Sequence, residues 1–233
     1  MRQGREANEL REVKITRGYT EMTPGSVLIE MGRTRVLCTV SLDDNVPAWM
    51  RDSGQGWVTA EYSMLPGAGT ERISRSSING GRTKEIQRLI GRSLRAAVDM
   101  DAMGPVTARI DCDVLQADGG TRTASVTGAW IALADAFDAW VTEGKMKTNP
   151  IVTNIAAISV GVVDGEPMLD LEYTEDVSAD VDANVVMTGE GKIIEVQGTA
   201  EGEPFDRASL DVMLDYAAAG IAELVAMQNG SRA

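Results

Sequence analysis

Short apolar runs broken by polar turns, the signals of strands, dominate the first third of the chain. In GSVLIEMGRTRVLCTVSL two apolar runs flank Gly32-Arg33, a spacing that predicts a β-hairpin. WVTAEYSML, from Trp57 to Leu65, predicts another strand. The pattern then stops. PGAGTERISRSSINGG, residues 66–81, is rich in Gly and Ser without any period and predicts a mobile loop. In RTKEIQRLIGRSLRAAVDM the spacing becomes three-and-four: Ile86, Leu89, Ile90, Leu94 and Ala97 form the core-facing stripe of a helix.

The second part repeats this scheme. A strand is predicted from Val106 to Gln116, then a turn, ADGGTRTAS, and a helix over TASVTGAWIALADAFDAW. Strands follow at IAAISVGVVDG, EPMLDLEY, ANVVMTG and KIIEVQGTA. A last helix begins near Asp206, its expected N-cap, and NGSRA, residues 229–233, is expected to fray. Helices alternating with groups of strands predict an α/β (α+β) protein of mixed sheets packed with helices. No linker or low-complexity segment divides residues 1–233, so one domain is expected.

Composition narrows the picture. At 233 residues and 43% hydrophobic, the chain can bury a sizeable core. No apolar run reaches the length of a membrane span, and the N-terminus is too polar for a signal peptide. Cys38 and Cys112 each lie inside an apolar run, as core thiols do. A cytoplasmic protein without a membrane partner is expected. The chain has no histidine, which excludes Ser-His-Asp and Cys-His nucleophile systems and the usual zinc sites. Any chemistry falls to carboxylates, cations, hydroxyls and backbone amides.

The net charge of −13 by itself argues against a polyanionic partner. The charge is unevenly spread, however. Residues 67–95 carry Arg72, Arg75, Arg82, Lys84, Arg88, Arg92 and Arg95 against Glu71 and Glu85, while residues 164–215 are strongly acidic. Either the basic segment forms an anion site or the two segments neutralise each other across an interface.

Three stretches could carry chemistry. At the strand-to-helix turn, Gly119 and Gly120 allow close backbone approach, Thr121 brings a hydroxyl and Arg122 a planar cationic fork. With free amides at a helix start, this could cradle a phosphate, although turning and capping the chain would explain the glycines and Thr121 as well. GGRT, residues 80–83, places Arg82 at another helix start, where a cation is disfavoured unless an anion is near. Arg88, Arg92 and Arg95 form a polar stripe, read for Arg92 and Arg95 as a solvated or subunit-facing surface. Finally Asp176, Asp180 and Asp182 crowd together before an apolar strand, which suits either an exposed acidic turn or a divalent cation and a shared proton.

The blocks SGQGWVTAEYSMLP, GGRTKEIQRLIGRSLRA, IDCDVLQADGGTRTAS, SVGVVDGEPMLDLEYTED and VVMTGEGKIIEVQGTAEG closely resemble the ribonuclease PH family in content and order. The resemblance implies a fold of duplicated βαβα-type units and a phosphorolytic 3′-to-5′ exoribonuclease. Inorganic phosphate, as co-substrate, would attack the terminal phosphodiester of tRNA precursors and other RNA 3′ ends, rRNA among them. Nucleoside diphosphates would be released, and the reverse reaction would add nucleotides. Carried over by position, Arg82 with Gly120, Thr121 and Arg122 would bind the phosphate. Asp176 and Asp182 would be the catalytic pair, binding Mg²⁺ or protonating the leaving ribose oxygen. Arg72 and Arg75 fall at positions tied to RNA contact and ring assembly, and the family's ring is a homohexamer, a trimer of dimers. One departure is visible: Gly67 stands where many members have a basic residue, and the loop after it is shorter than the family pattern.

Overall fold

The computed structural model describes residue 2 and residues 4–233, except the side chain of Ile78. The strand signals of the first third become three antiparallel strands, β1 (Val13–Arg17), β2 (Gly25–Met31) and β3 (Thr34–Asp43). The β2–β3 hairpin turns at Gly32-Arg33 as the spacing predicts, with Met31 opposite Thr34. On β3, Val36, Cys38 and Val40 are buried while their neighbours are less so, the period-two signature of a strand with one core face. β4 (Trp57–Met64) and β5 (Thr107–Gln116) pair in parallel, and β5 joins β3, giving the sheet order β1-β2-β3-β5-β4. Parallel pairing needs a crossover, which α1 (Gly81–Arg95) and the short α2 (Met100–Met103) supply.

α3 (Thr121–Thr142) lies between this sheet and a second one. It touches β2, β3 and β5 on one side and, on the other, β6 (Ile155–Val163). A helix clad in protein on most sides must be apolar nearly all round, which accounts for its long run of Ala, Val, Ile, Leu, Trp and Phe. β6 is buried along its whole length and pairs with β7 (Glu166–Leu169) and β8 (Val181–Thr188); β9 (Ile193–Ala200) completes the order β7-β6-β8-β9. α5 (Arg207–Arg232) packs on β6 and β7. A continuous buried cluster runs through both sheets and α3. Among the described residues no helix is long and apolar enough to cross a membrane.

The structure corrects several expectations. α1 stops at Arg95 rather than near Met100, because Val98 leaves the helix to bridge Ile151. The 66–81 stretch is not wholly irregular: Ser74 caps a 3-10 turn at Arg75–Asn79. EPMLDLEY is a strand only as far as Leu169; the chain then turns at Asp170 and forms α4 (Tyr173–Ser178). The C-terminal NGSR is helical, because Ser231 O accepts from Arg17 and Arg232 bonds Asp135 and Asp138 on α3. Arg92 and Arg95 are not simply solvated: Arg92 pairs with Glu195 at 2.7 Å, and Arg95 donates to Val58 O and lies over the Trp57 ring. The basic and acidic segments therefore do neutralise each other at Arg92. Arg82 remains without a hydrogen-bond or ion-pair partner among the described residues.

Candidate active site

The start of α3, the start of α1, α4 and β8 converge on one cleft of about 420 Å³. Its wall includes Arg82, Gly120, Thr121, Arg122, Asp176 and Asp182, so the six residues carried over for phosphate binding and catalysis share a single site. Gly119 and Gly120 both adopt left-handed backbone, with φ of 75° and 65°. A side chain at Gly119 would place its Cβ 2.4 Å from Leu171 O, so the turn is seated directly on the segment leading to α4. Gly120 is the N-cap of α3 and offers no side chain to the first amides of the helix, the kind of helix start that suits an anion.

Thr121 is nearly buried, and its hydroxyl shares a 2.9 Å hydrogen bond with the Tyr62 hydroxyl. Burial raises the Tyr62 phenol above its usual range, so it stays protonated and can donate to Thr121. The Thr121 hydrogen is then available to a ligand oxygen. Arg122 is not idle: it donates to Gln197 Oε1 at 3.1 Å and lies 3.4 Å from Glu85. A bound anion would compete with this carboxylate for the guanidinium.

Asp176 comes from the first turn of α4, which Glu172 and Glu175 close with a capping box. Asp182 comes from β8, opposite Gly161 of β6 and Thr199 of β9. Burial pushes both carboxylic acids above the usual range. For Asp176 the effect is opposed by Arg82, Arg122 and Arg11. For Asp182 burial is reinforced by the Asp176 charge, and the group reaches about 6. Asp182 Oδ1 is buried without a hydrogen-bond partner, a costly arrangement that marks the oxygen as available to a proton, a cation or a substrate. Two carboxylates also suit Mg²⁺, which takes one or two from protein and fills its other positions with water and phosphate oxygens. No group of three or more potential metal-binding acids and thiols occurs among the described residues. Asp180, the third acid of the sequence cluster, is exposed and lies outside the cleft wall.

Arg72 and Arg75 are exposed on the loop over the cleft and do not line it, although Ile73 between them does. Sequence reasoning missed Tyr62, Arg11, Thr34 and Asp170. Tyr62 left a signal: it shares the strand face of Val58 and Ala60, and a buried tyrosine needs a partner for its hydroxyl. The other three gave none, because the partners of their side chains are 84 to 165 residues away.

Comparison with known proteins gives the family and the fold. Residues 9–137 match the model of the 3′ exoribonuclease family, domain 1, and residues 153–220 match domain 2. The fold is similar to Rrp46 of rice (Oryza sativa), with a TM-score of 0.79 at 19% identity over 98% of each chain. It is also similar to a chain of the Archaeoglobus fulgidus exosome with RNA bound to the active site: TM-score 0.82, 21% identity, 95% of this chain and 89% of that one. An archaeal exosome core chain gives a TM-score of 0.80 at 19% identity, over 97% of this chain and 90% of that one. Both family domains are matched in order across most of the sequence, and the chain belongs to the ribonuclease PH family of 3′ exoribonucleases.

Proposed function

We propose that the protein is a phosphorolytic 3′-to-5′ exoribonuclease that trims the 3′ ends of tRNA precursors and works in reverse as a nucleotidyltransferase. The observation that carries this reading is the meeting, in one cleft, of Arg82 and the Gly120–Arg122 turn with the two carboxylic acids Asp176 and Asp182. The cations and helix amides would hold inorganic phosphate, and the acids would face the scissile bond. An oxygen of phosphate attacks the phosphorus of the last phosphodiester. A P–O bond forms as the bond to the penultimate ribose O3′ breaks, so a nucleoside diphosphate leaves and O3′ takes up a proton. Asp182, which holds its proton to about pH 6, is the group we assign to supply it. Charge spreads over the phosphate oxygens in the transition state, where Arg82, Arg122 and the amides of α3 stabilise it. Asp176 would hold Mg²⁺, which when bound would neutralise charge on phosphate oxygens, and Asp182 would be a second ligand only in its ionised form. A homohexamer, a trimer of dimers, is the assembly we expect.

The test is incubation of the purified protein with Mg²⁺ and a labelled tRNA bearing extra 3′ nucleotides, with and without inorganic phosphate. Shortening that requires phosphate and yields nucleoside diphosphates is expected. Monophosphates formed without phosphate would make water the nucleophile and remove the assignment of the 120–122 turn. Binding without shortening would identify a non-catalytic RNA-binding subunit instead.

A further inference from the structure

We propose that Arg11, paired with Asp170, is a positioning residue that holds the anion-binding turn in register with the aspartate-bearing helix α4. Arg11 precedes β1 and lies far in sequence from both parts of the cleft, yet its guanidinium bonds to each. Nη1 donates to Asp118 O at 2.6 Å and Nη2 approaches Gly119 O at 3.5 Å, so one edge of the fork grips the turn. The other edge meets Asp170, with Nη2 at 2.6 Å from Oδ1 and Nε at 3.0 Å from Oδ2. The Arg11 backbone amide adds a third donor to Asp170 Oδ2, at 2.9 Å. Both side chains are buried. A buried arginine with all of its fork engaged cannot shift toward one partner without leaving the other unpaired.

Asp170 is held as firmly from its own side. It adopts a left-handed φ of 54°, unusual for a residue with a side chain, just where β7 gives way to the segment before α4. Its amide donates to Ser159 O at 2.7 Å, and the next amide, of Leu171, to Ser159 Oγ at 3.1 Å. Thr34 fixes the turn from the first sheet, donating to Gly119 O at 2.7 Å and accepting from the Asp118 amide at 2.9 Å. The turn is thus anchored to one sheet and Asp170 to the other, with Arg11 as the bridge. The missing side chain at Gly120 is part of the arrangement, because its Cβ would lie 3.0 Å from Arg11 Nη2. A lysine at position 11 would keep the charge but could not span both partners.

This role rests on the phosphorolytic reading of the cleft, so wild type is assayed first for phosphate dependence. Arg11→Lys, Asp170→Asn and the double variant are then compared with it. Arg17→Lys serves as control, since Arg17 pairs with Asp135 outside the cleft. Four quantities are read: the phosphate KM at saturating RNA, kcat, the RNA Kd without phosphate, and the thermal midpoint. Both single variants are expected to fold, to raise the phosphate KM by about tenfold with a fall in kcat, and to leave the RNA Kd within about twofold. The double variant should be no worse than Asp170→Asn, which also loosens the 3.4 Å contact of Arg5 with Asp170, because either change breaks the Arg11 bridge. Folded variants with unchanged phosphate KM and kcat would overturn the proposal. So would losses that simply follow the fraction of unfolded protein, which would assign the pair to stability alone. A phosphate-independent wild type would remove the reading of the cleft itself, and the role of Arg11 with it.

Discussion

At the scale of single residues, the cleft stores an unfavourable charge. Asp182 has an orphaned buried oxygen and a carboxyl raised to about 6, above the usual value of 3.8. A raised folded-state pKa favours folding below the unfolded value and loses that advantage as pH climbs through the folded one. Between about pH 4 and 6, then, ionisation of Asp182 steadily costs stability. Asp182→Asn should cut turnover by about 10²-fold or more, yet raise stability at pH 8 by roughly 1–2 kcal/mol, with the gain vanishing by about pH 4. Thermal melts of both proteins across this range check the sign, and a variant less stable than wild type at pH 8 would show that the carboxylate is satisfied. Glu85 offers a second case. It competes for the Arg122 guanidinium from 3.4 Å, on a side chain 42% exposed, so the contact is worth little. Glu85→Gln should lower the phosphate KM by roughly two- to fivefold in steady-state assays without altering the fold.

At the scale of elements, what could be read in the sequence divides by distance along the chain. The hairpin at Gly32-Arg33, the α1 stripe and the long apolar α3 were legible because period and turn chemistry are local. The turn at Gly119-Gly120 was legible as a turn for the same reason, but not as one resting on Leu171 and Glu172. The strand EPMLDLEY was carried past Leu169 as far as Tyr173 because LDLEY alternates, while what ends it is the turn at the buried Asp170, whose partner Arg11 is 159 residues away, and the Glu172–Glu175 capping box that opens α4. The cleft follows the same rule: Arg82, Thr121 and Arg122 announce themselves at helix starts, whereas Arg11 and Thr34 do so only once the sheets meet. Gly119→Ala tests the junction. The new methyl must accept a φ of 75° and displace backbone at 2.4 Å, so a loss of roughly 2–4 kcal/mol is expected in denaturant unfolding. Gly67→Ala, in open space, should change stability by under about 0.5 kcal/mol in the same measurement.

At the scale of the whole molecule, a net charge of −13 must be reconciled with the polyanionic substrate proposed for it. The arrangement of the basic residues supplies a way. Arg92 is spent on Glu195 and Arg95 on Trp57 and Val58, but Arg72, Arg75 and Arg88 are exposed, and Arg82 opens into the cleft. Gathered from several copies around the channel of the proposed ring, these loops would form a local positive field inside an acidic exterior. Arg75→Ala should then weaken RNA binding, and a lower mass by light scattering would show that it also supports assembly. Gly67 permits the opposite experiment. It is exposed, its backbone is not left-handed, and nothing lies within 4 Å of where a Cβ would stand. Gly67→Arg adds a cation at the mouth of the cleft loop at little structural cost. If that loop lies along the RNA, affinity for the 3′-extended tRNA should rise and the plot of log Kd against log salt should steepen by about 0.7, the increment for one more single-strand phosphate. An unchanged slope would place the loop away from the RNA path and leave recognition to the cleft alone.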